Sequence, residues 1–131
     1  MKVAVIGSRN VQTPDLSTLL PQGCNEIVSG GARGVDSCAA AYARTHGLIL
    51  TDFLPDYQRF GKVAPLVRNR QIVDYADCVL AIWDGSSHGT KHVIRYCETT
   101  GTPCRVILAE KKNCVTIKHQ HLGYPSILER N

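Results

Sequence analysis

Three glycines and an arginine lie between an apolar pair, Ile27 and Val28, and an alanine-rich stretch, in the segment SGGARGVD at residues 29–36. Glycine lets backbone N–H groups approach an anion with no Cβ in the way. A helix beginning near Val35 adds unpaired N–H groups and the positive end of its dipole, which also favour an anion. Arg33 adds a planar cationic fork suited to phosphate. The segment therefore predicts a phosphate-binding turn.

Two further turns have the same small, polar and glycine-rich character. One is GSRN at residues 7–10, after a short apolar run, and the other is DGSSHGT at residues 84–90, after the most hydrophobic stretch of the chain. In the second turn, serine and threonine hydroxyls accompany Gly85 and Gly89 at another predicted helix start. In an open parallel sheet, ligands bind outside the carboxyl ends of the strands, where all three turns are expected to lie.

Turn formation alone is enough to explain any single one of these segments, since glycine is a common turn residue. The presence of three such turns, with Arg9 and Arg33 among their residues, favours a ligand site.

The chain has no GxxxxGK[ST] and no GxGxxG after its first strand, which argues against a P-loop NTPase and an ordinary dinucleotide site. No cysteines have CxxC spacing and the histidines form no ligand pattern, so no metal site is expected.

The order of the elements predicts an α/β fold. Continuous apolar runs predict five strands, and periodic segments closed by glycine or opened by proline predict four helices. Alternation of the two kinds predicts a mainly parallel five-stranded sheet with helices on both faces, doubly wound. Segment 56–64 reads as irregular. The predicted strands are 2–6, 26–29, 48–55, 77–84 and 104–109, and the predicted helices are 15–20, 35–46, 65–75 and 89–100.

Length and composition indicate one domain of 131 residues, with the polar residues 111–131 as a tail that forms an edge strand, a short helix or a partner contact. A net charge of +4 mildly favours anionic partners. No apolar run approaches the roughly 20 residues of a membrane span. The N-terminus reads as a strand and not as a signal peptide, and the six cysteines fit a reduced protein, so a cytoplasmic location is expected.

Three segments resemble the SLOG superfamily, which includes the DNA-processing protein Smf/DprA and the cytokinin-activating LOG proteins. They are GSR at 7–9, SGGARGVDSCAAAYA at 29–43 and RNRQIVDYADCVLAIWDGSSHGT at 68–90. The chain is most similar to the small YspA-like branch of bacterial and phage proteins, over about residues 3–109, so that residues 1–110 form the SLOG domain. The resemblance implies a Rossmann-like fold and a nucleotide or nucleotide-derived ligand.

By motif position, the resemblance implies a pocket that draws on all three turns and on the helix before the fourth strand. Asp36 suits ribose hydroxyls better than phosphate, because a carboxylate repels phosphate. Tyr57 and Trp83 are candidates to stack on a base. The implied ligand-binding residues are Gly7, Ser8, Arg9, Gly30, Gly31, Arg33, Gly34, Asp36, Arg68, Asn69, Asp84, Gly85, Ser86, Gly89 and Thr90.

Binding or sensing without turnover is the first hypothesis, and two others stay open. LOG proteins cleave the N-glycosidic bond of nucleoside monophosphates with the glutamate of PGGxGTxxE, a position held here by Val93. A hydrolase of this kind needs another acid or base, for which Asp36 and Asp84 are the candidates.

The third hypothesis is a single-stranded nucleic-acid binder similar to DprA. It requires a set of cations to share one face, and the resemblance also implies a homodimer. The cations are Arg9, Arg33, Arg59, Lys62, Arg68 and Arg70.

Overall fold

A computed structural model describes residues 1–31, 34–109 and 118–122 of the chain. Its sheet has the strand order β3-β2-β1-β4-β5-β6, with the first five strands parallel and β6 antiparallel to β5. The strands are β1 (Lys2–Gly7), β2 (Glu26–Ser29), β3 (Ile49–Asp52), β4 (Cys78–Trp83), β5 (Cys104–Leu108) and β6 (Lys118–Leu122). The helices are α1 (Val35–Thr45), α2 (Tyr57–Phe60), α3 (Ala64–Tyr75) and α4 (His88–Thr100).

The predicted doubly wound α/β fold with five parallel strands is confirmed. The chain proceeds from β1 outward through β2 to β3, and then returns to β1 to pair β4 on its other side. The strand order reverses between β1 and β4, which is the switch point where open α/β sheets bind ligands. β1 and β4 pair in register from Val3 with Cys78 to Gly7 with Ile82, so their carboxyl ends lie side by side.

Both faces of the sheet are covered because the central strands are apolar on both sides. One face packs α1 through Ala39 and Ala43, both fully buried, since small residues one turn apart let a helix approach a sheet closely. The other face packs α3 and α4 through apolar side chains that include Ile72 and Val93. Of the alanines expected to pack on the sheet, Ala41 instead faces outward.

Several boundaries differ from the prediction. Segment 56–64 is not irregular: Asp56 Oδ1 accepts from the N–H of Arg59 at 3.1 Å and starts the short α2, and a 3₁₀ turn follows at Gly61–Val63. The predicted helix at 15–20 is a 3₁₀ turn, Leu16–Thr18. Leu66, an apolar residue in the first turn of α3, is 42% exposed and lines the cavity described below.

The tail contributes the edge strand β6, one of the alternatives left open for it. The rest of the tail, residues 110–117 and 123–131, and Arg33 with its neighbour at 32 lie outside the described residues. None of the helices in the described part of the chain is both long and apolar enough to cross a membrane.

Candidate functional site

A cavity of about 420 Å³ opens at the carboxyl ends of β1 and β4. It lies where the strand order reverses, and it is bounded by the turns after β1, β2 and β4 and by one side of α3. Its lining residues are Ile6, Gly7, Ser8, Arg9, Asn10, Gly30, Asp36, Pro65, Leu66, Arg68, Asn69, Ile72, Asp84, Ser87, Gly89, Thr90 and Val93.

Gly7 ends β1 in a place too crowded for a side chain. A Cβ on Gly7 would lie 2.5 Å from the carbonyl oxygen of Ile82 and 2.6 Å from Cγ2 of Val35. The glycine therefore lets α1 begin directly against the end of the sheet. This close packing brings the start of α1, with Asp36 in its first turn, to the edge of the cavity.

Ser8 ties the first turn to the third. It is only 3% exposed, and its Oγ accepts from the N–H of Asp84 at 3.1 Å and shares a hydrogen bond of 2.7 Å with Ser87 Oγ. Its N–H donates to the carbonyl of Ile82 at 3.0 Å. With these bonds made, Ser8 acts as a fixed part of the cavity wall, and no histidine among the cavity residues is placed to activate it as a nucleophile.

Asp84 organises the turn before α4. Its Oδ1 accepts from the N–H groups of Ser86 and Ser87 at 2.8 and 2.7 Å. Partial burial tends to raise the pKa of Asp84, but the hydrogen bonds from Ser86, Ser87 and Ser8 outweigh it and hold the pKa below its ordinary value. Asp84 is therefore ionised near neutral pH and does not have the proton that a general acid must donate.

The first turn of α4 presents unpaired polar groups to the cavity. Ser87 is the N-cap residue, but its side chain makes no capping hydrogen bond. Gly89 lines the cavity, and a Cβ on it would have no heavy atom within 4 Å. Thr90 is 6% exposed, and its Oγ1 has no hydrogen-bond partner among the described residues. The free N–H groups and the helix dipole make this turn suitable for an anion.

Arg68 and Asn69 form the opposite wall, on α3. Arg68 Nη1 donates to the carbonyl of Gly30 at 2.7 Å, and its Nε donates to Asn69 Oδ1 at 2.9 Å. Two bonds in one plane hold the guanidinium in place, which leaves its other N–H groups for a ligand. Asn69 is 8% exposed, so its side chain is not on a solvated face of α3.

Among the lining residues that the structure describes, the side-chain charges balance. Arg9 is an exposed residue at the rim that bonds to none of the described residues, and Arg68 lies deeper. Asp36 and Asp84 supply two carboxylates. Because these side-chain charges cancel, how tightly an anion binds depends on where it lies in the cavity. The first turn of α4 is the part of the cavity with the most hydrogen-bond donors.

The structure places most of the predicted site residues around one cavity. Those that line it are Gly7, Ser8, Arg9, Gly30, Asp36, Arg68, Asn69, Asp84, Gly89 and Thr90. Those that do not line it are Gly31, Gly34, Gly85 and Ser86. The three glycines of this second group have positive φ angles of 69°, 75° and 87°, so turn conformation explains them. Arg33 lies outside the described residues.

Sequence reasoning missed the apolar part of the lining. Ile72 and Val93 looked like ordinary core residues, and Pro65 and Leu66 like the start of a helix. Their position at the cavity follows from which side of each helix meets the sheet. The lining residues absent from the predicted set are Ile6, Asn10, Pro65, Leu66, Ile72, Ser87 and Val93.

The two aromatic candidates lie away from the cavity. Tyr57 is 60% exposed and is not part of the lining. Trp83 packs against the core, and its Nε1 donates to the carbonyl of Ser87 at 3.0 Å, which supports the turn before α4. Among residues 1–31, 34–109 and 118–122, no group of three or more His, Cys, Asp or Glu side chains is placed to hold a metal ion.

Comparison with known proteins gives a similarity to a phage protein. No model of a protein family matches the chain. The chain is 39% identical over 83 residues to the Gene 61 protein of Mycobacterium phage D29, an alignment that covers 59% of this chain and 66% of the phage protein. The chain thus spans about two thirds of that relative, whose name states no activity, and it is similar to a phage protein over more than half of its own length.

Proposed function

We propose that this protein binds or senses a nucleotide, or a nucleotide-derived phosphorylated ligand, in the cavity between β1 and β4. The observation that carries the proposal is a pair of buried polar side chains on facing walls. Asn69 is 8% exposed and Thr90 is 6% exposed, yet Asn69 Nδ2 and Thr90 Oγ1 bond to no described residue. Both atoms are accessible from the cavity, so a ligand bound there can form hydrogen bonds with each of them.

The phosphate is proposed to lie at the first turn of α4. Gly89 and Thr90 line the cavity there and offer backbone N–H groups and the Thr90 hydroxyl, whereas the Ser87 N–H is already bonded to Asp84. Arg9 at the rim adds a cation that is not engaged elsewhere among the described residues. Helix N-termini bind phosphate because their free N–H groups and dipole both favour negative charge.

The base is proposed to lie against the apolar lining. Leu66 and Pro65 form an exposed apolar edge, and Ile6, Ile72 and Val93 are buried beneath. A cavity of about 420 Å³ with an apolar lining and a few converging polar groups has the size and character of small-molecule sites. Membership of the SLOG superfamily, which the resemblance of the three motifs implied, is part of the same proposal.

Binding without hydrolysis is favoured over N-glycosidic cleavage. The position that holds the LOG glutamate holds Val93, which lines the cavity and is 1% exposed. Asp84, the first of the two substitute carboxylates, has a lowered pKa and is engaged by the turn it organises. Of the two candidate carboxylates, Asp36 therefore remains for acid or base catalysis.

A nucleic-acid surface receives less support. Arg68 turns toward Gly30 and the cavity. Arg70, two residues later on α3, lies over the ring of Tyr96 on α4, with its guanidinium 5.5 Å from the ring centre. Residues two apart on a helix face different directions, so these arginines do not share one surface.

The proposal includes a cytoplasmic homodimer. The five described cysteines are free thiols, and burial raises the pKa of Cys78 to about 12, as fits a reduced core residue.

The proposed homodimer rests on the family resemblance alone. Sedimentation equilibrium across a range of protein concentrations tests it directly, and a monomer throughout would contradict it.

Thermal unfolding in the presence of nucleotides tests the proposed function. The panel holds mononucleotides, ADP-ribose, NAD and cyclic nucleotides. A ligand at about 100 times its Kd adds roughly 2.7 kcal/mol of stability, which raises Tm by several degrees. Arg9→Gln should reduce the shift, whereas Arg44→Gln, an exposed arginine in the last turn of α1, should not. No shift with any of these compounds would contradict the proposal.

A further inference from the structure

Position 30 requires glycine because neighbouring side chains leave no room for a Cβ, and not because of its backbone conformation. Its φ is not among the positive values of the chain, so other residues would adopt it without strain. A Cβ on Gly30 would lie 2.7 Å from Arg68 Nη1 and 3.2 Å from Asp36 Oδ2. The glycine therefore leaves room for the Arg68 guanidinium and the Asp36 carboxylate, which both approach its Cα on the wall of the cavity.

Asn69 beside them has a fixed orientation. Its Oδ1 accepts from Arg68 Nε at 2.9 Å, and this bond assigns the opposite side of the amide as Nδ2, a donor of two hydrogens. Asn69 is more than nine-tenths buried and lines the cavity, and its Nδ2 has no partner within the described part of the chain. The wall thus offers an uncharged donor at Asn69 and an acceptor at Asp36.

A hydroxyl group is the chemistry that matches both. Each hydroxyl accepts through its oxygen and donates through its hydrogen, so one can accept from Asn69 while its neighbour donates to Asp36. A phosphate at this wall would meet the Asp36 carboxylate at close range, and like charges in a partly buried site repel strongly. The first turn of α4, on the other side, has no acidic residue of its own, and the Asp84 carboxylate that precedes it is already bonded to the N–H groups of Ser86 and Ser87.

We propose that Asp36 and Asn69, which both line the cavity beside Gly30, bind the adjacent 2′- and 3′-hydroxyls of a ribose, with Asn69 oriented by Arg68, so that the cavity selects ribonucleotides over deoxyribonucleotides. This inference rests on the proposed function, because it divides the same cavity into a phosphate end and a sugar wall. It makes Asn69 a determinant of specificity, separate from the phosphate donors.

The test compares matched ligands on matched variants by calorimetric titration. The probes are AMP, GMP, CMP and UMP, each against its 2′,3′-dideoxy counterpart, which keeps base and phosphate unchanged. Loss of hydrogen bonds to buried groups should weaken binding to the wild type by roughly tenfold to a hundredfold. In Asn69→Leu and in Asp36→Asn, the preference should shrink to roughly threefold to tenfold, because each variant keeps the contact with the other hydroxyl. Arg9→Gln should weaken both ligands of a pair alike and keep the preference.

The outcomes separate this inference from the function on which it rests. Equal affinity of the wild type for both ligands of a pair overturns the sugar wall and leaves nucleotide binding intact. A preference that is undiminished in both Asp36→Asn and Asn69→Leu, or one that follows the base and not the sugar, also overturns it. Absence of binding by every probe refutes both. If Asn69→Leu does not fold, judged by circular dichroism, the nearly isosteric Asp36→Asn decides.

Discussion

Gly89 allows the fold and the ligand site to be perturbed separately. It lies in the first turn of α4, lines the cavity, and would bring an added Cβ no closer than 4 Å to any heavy atom. Its φ is not positive, so an ordinary residue fits its backbone. A side chain at this position therefore enters the proposed phosphate site without displacing any part of the protein.

The two substitutions Gly89→Ala and Gly89→Asp have predictable magnitudes. Alanine restricts the unfolded chain and suits a helix better than glycine, which should raise the free energy of unfolding by about 0.4–1 kcal/mol. Aspartate in a first helical turn should be stabilising by a similar amount, because the dipole favours negative charge there. A carboxylate about 5 Å from a bound phosphate should cost about 1–3 kcal/mol, a loss of roughly fivefold to 150-fold in affinity.

Two assays read these effects independently. Thermal unfolding of the free protein should show a Tm equal to the wild type or about 2–5 °C higher for both variants. Titration with the nucleotide that binds the wild type should show weaker binding by Gly89→Asp, and relief of part of the loss at high salt. Undiminished affinity of Gly89→Asp would refute the placement of phosphate at this turn. A lower Tm for Gly89→Ala would refute the open space inferred around Gly89.

Three further predictions concern the frame of the site. Gly7→Ala should lower the free energy of unfolding by about 2 kcal/mol or more, because its methyl group would lie 2.5 Å from the carbonyl oxygen of Ile82. An unchanged midpoint of urea denaturation would contradict this destabilisation. Burial and the nearby Arg70 lower the pKa of His92, so as pH falls below about 6.5 the unfolded chain takes up a proton that the folded chain does not. Stability should therefore fall toward acid pH, and His92→Gln should flatten the Tm profile between pH 7 and 5; identical profiles would exclude His92 as the cause. Asp84→Asn keeps a side-chain oxygen that can accept from the N–H groups of Ser86 and Ser87, and it removes one negative charge from the cavity. The variant should therefore bind the phosphorylated ligand at least as tightly as the wild type. A large loss of affinity in a folded variant would indicate that the carboxylate itself contacts the ligand.

Much of the fold was predictable from local patterns. Unbroken apolar runs such as 78–83 cannot be exposed on either side, and that requirement alone predicts a central strand of a covered parallel sheet. Glycine after a periodic segment, as at Gly101 with a φ of 73°, correctly predicted where α4 ends. The short α2 was missed because it is four residues long with no buried residue, and so it has no periodic signal.

The site was predictable only in part, because glycine is needed for different physical reasons at different positions in it. Gly31, Gly34 and Gly85 provide turn conformations, whereas Gly30 and Gly89 leave space at the cavity. The sequence pattern is the same for both kinds. What distinguishes them is the identity of the atoms that approach each Cα, and those atoms come from distant parts of the chain.

The sequence by itself determined the class of fold, the strands, and the three turns that meet at one edge of the sheet, because these depend on periodicity and on residue types a few positions apart. Only the tertiary structure decided which wall each residue occupies. Pairing of β1 with β4 brings Ser8 to Ser87 across 79 positions, and packing of α3 on the sheet brings Arg68 to Gly30 across 38. Such contacts are set by the order of strands and the sides of helices that bury apolar groups, which no local pattern specifies.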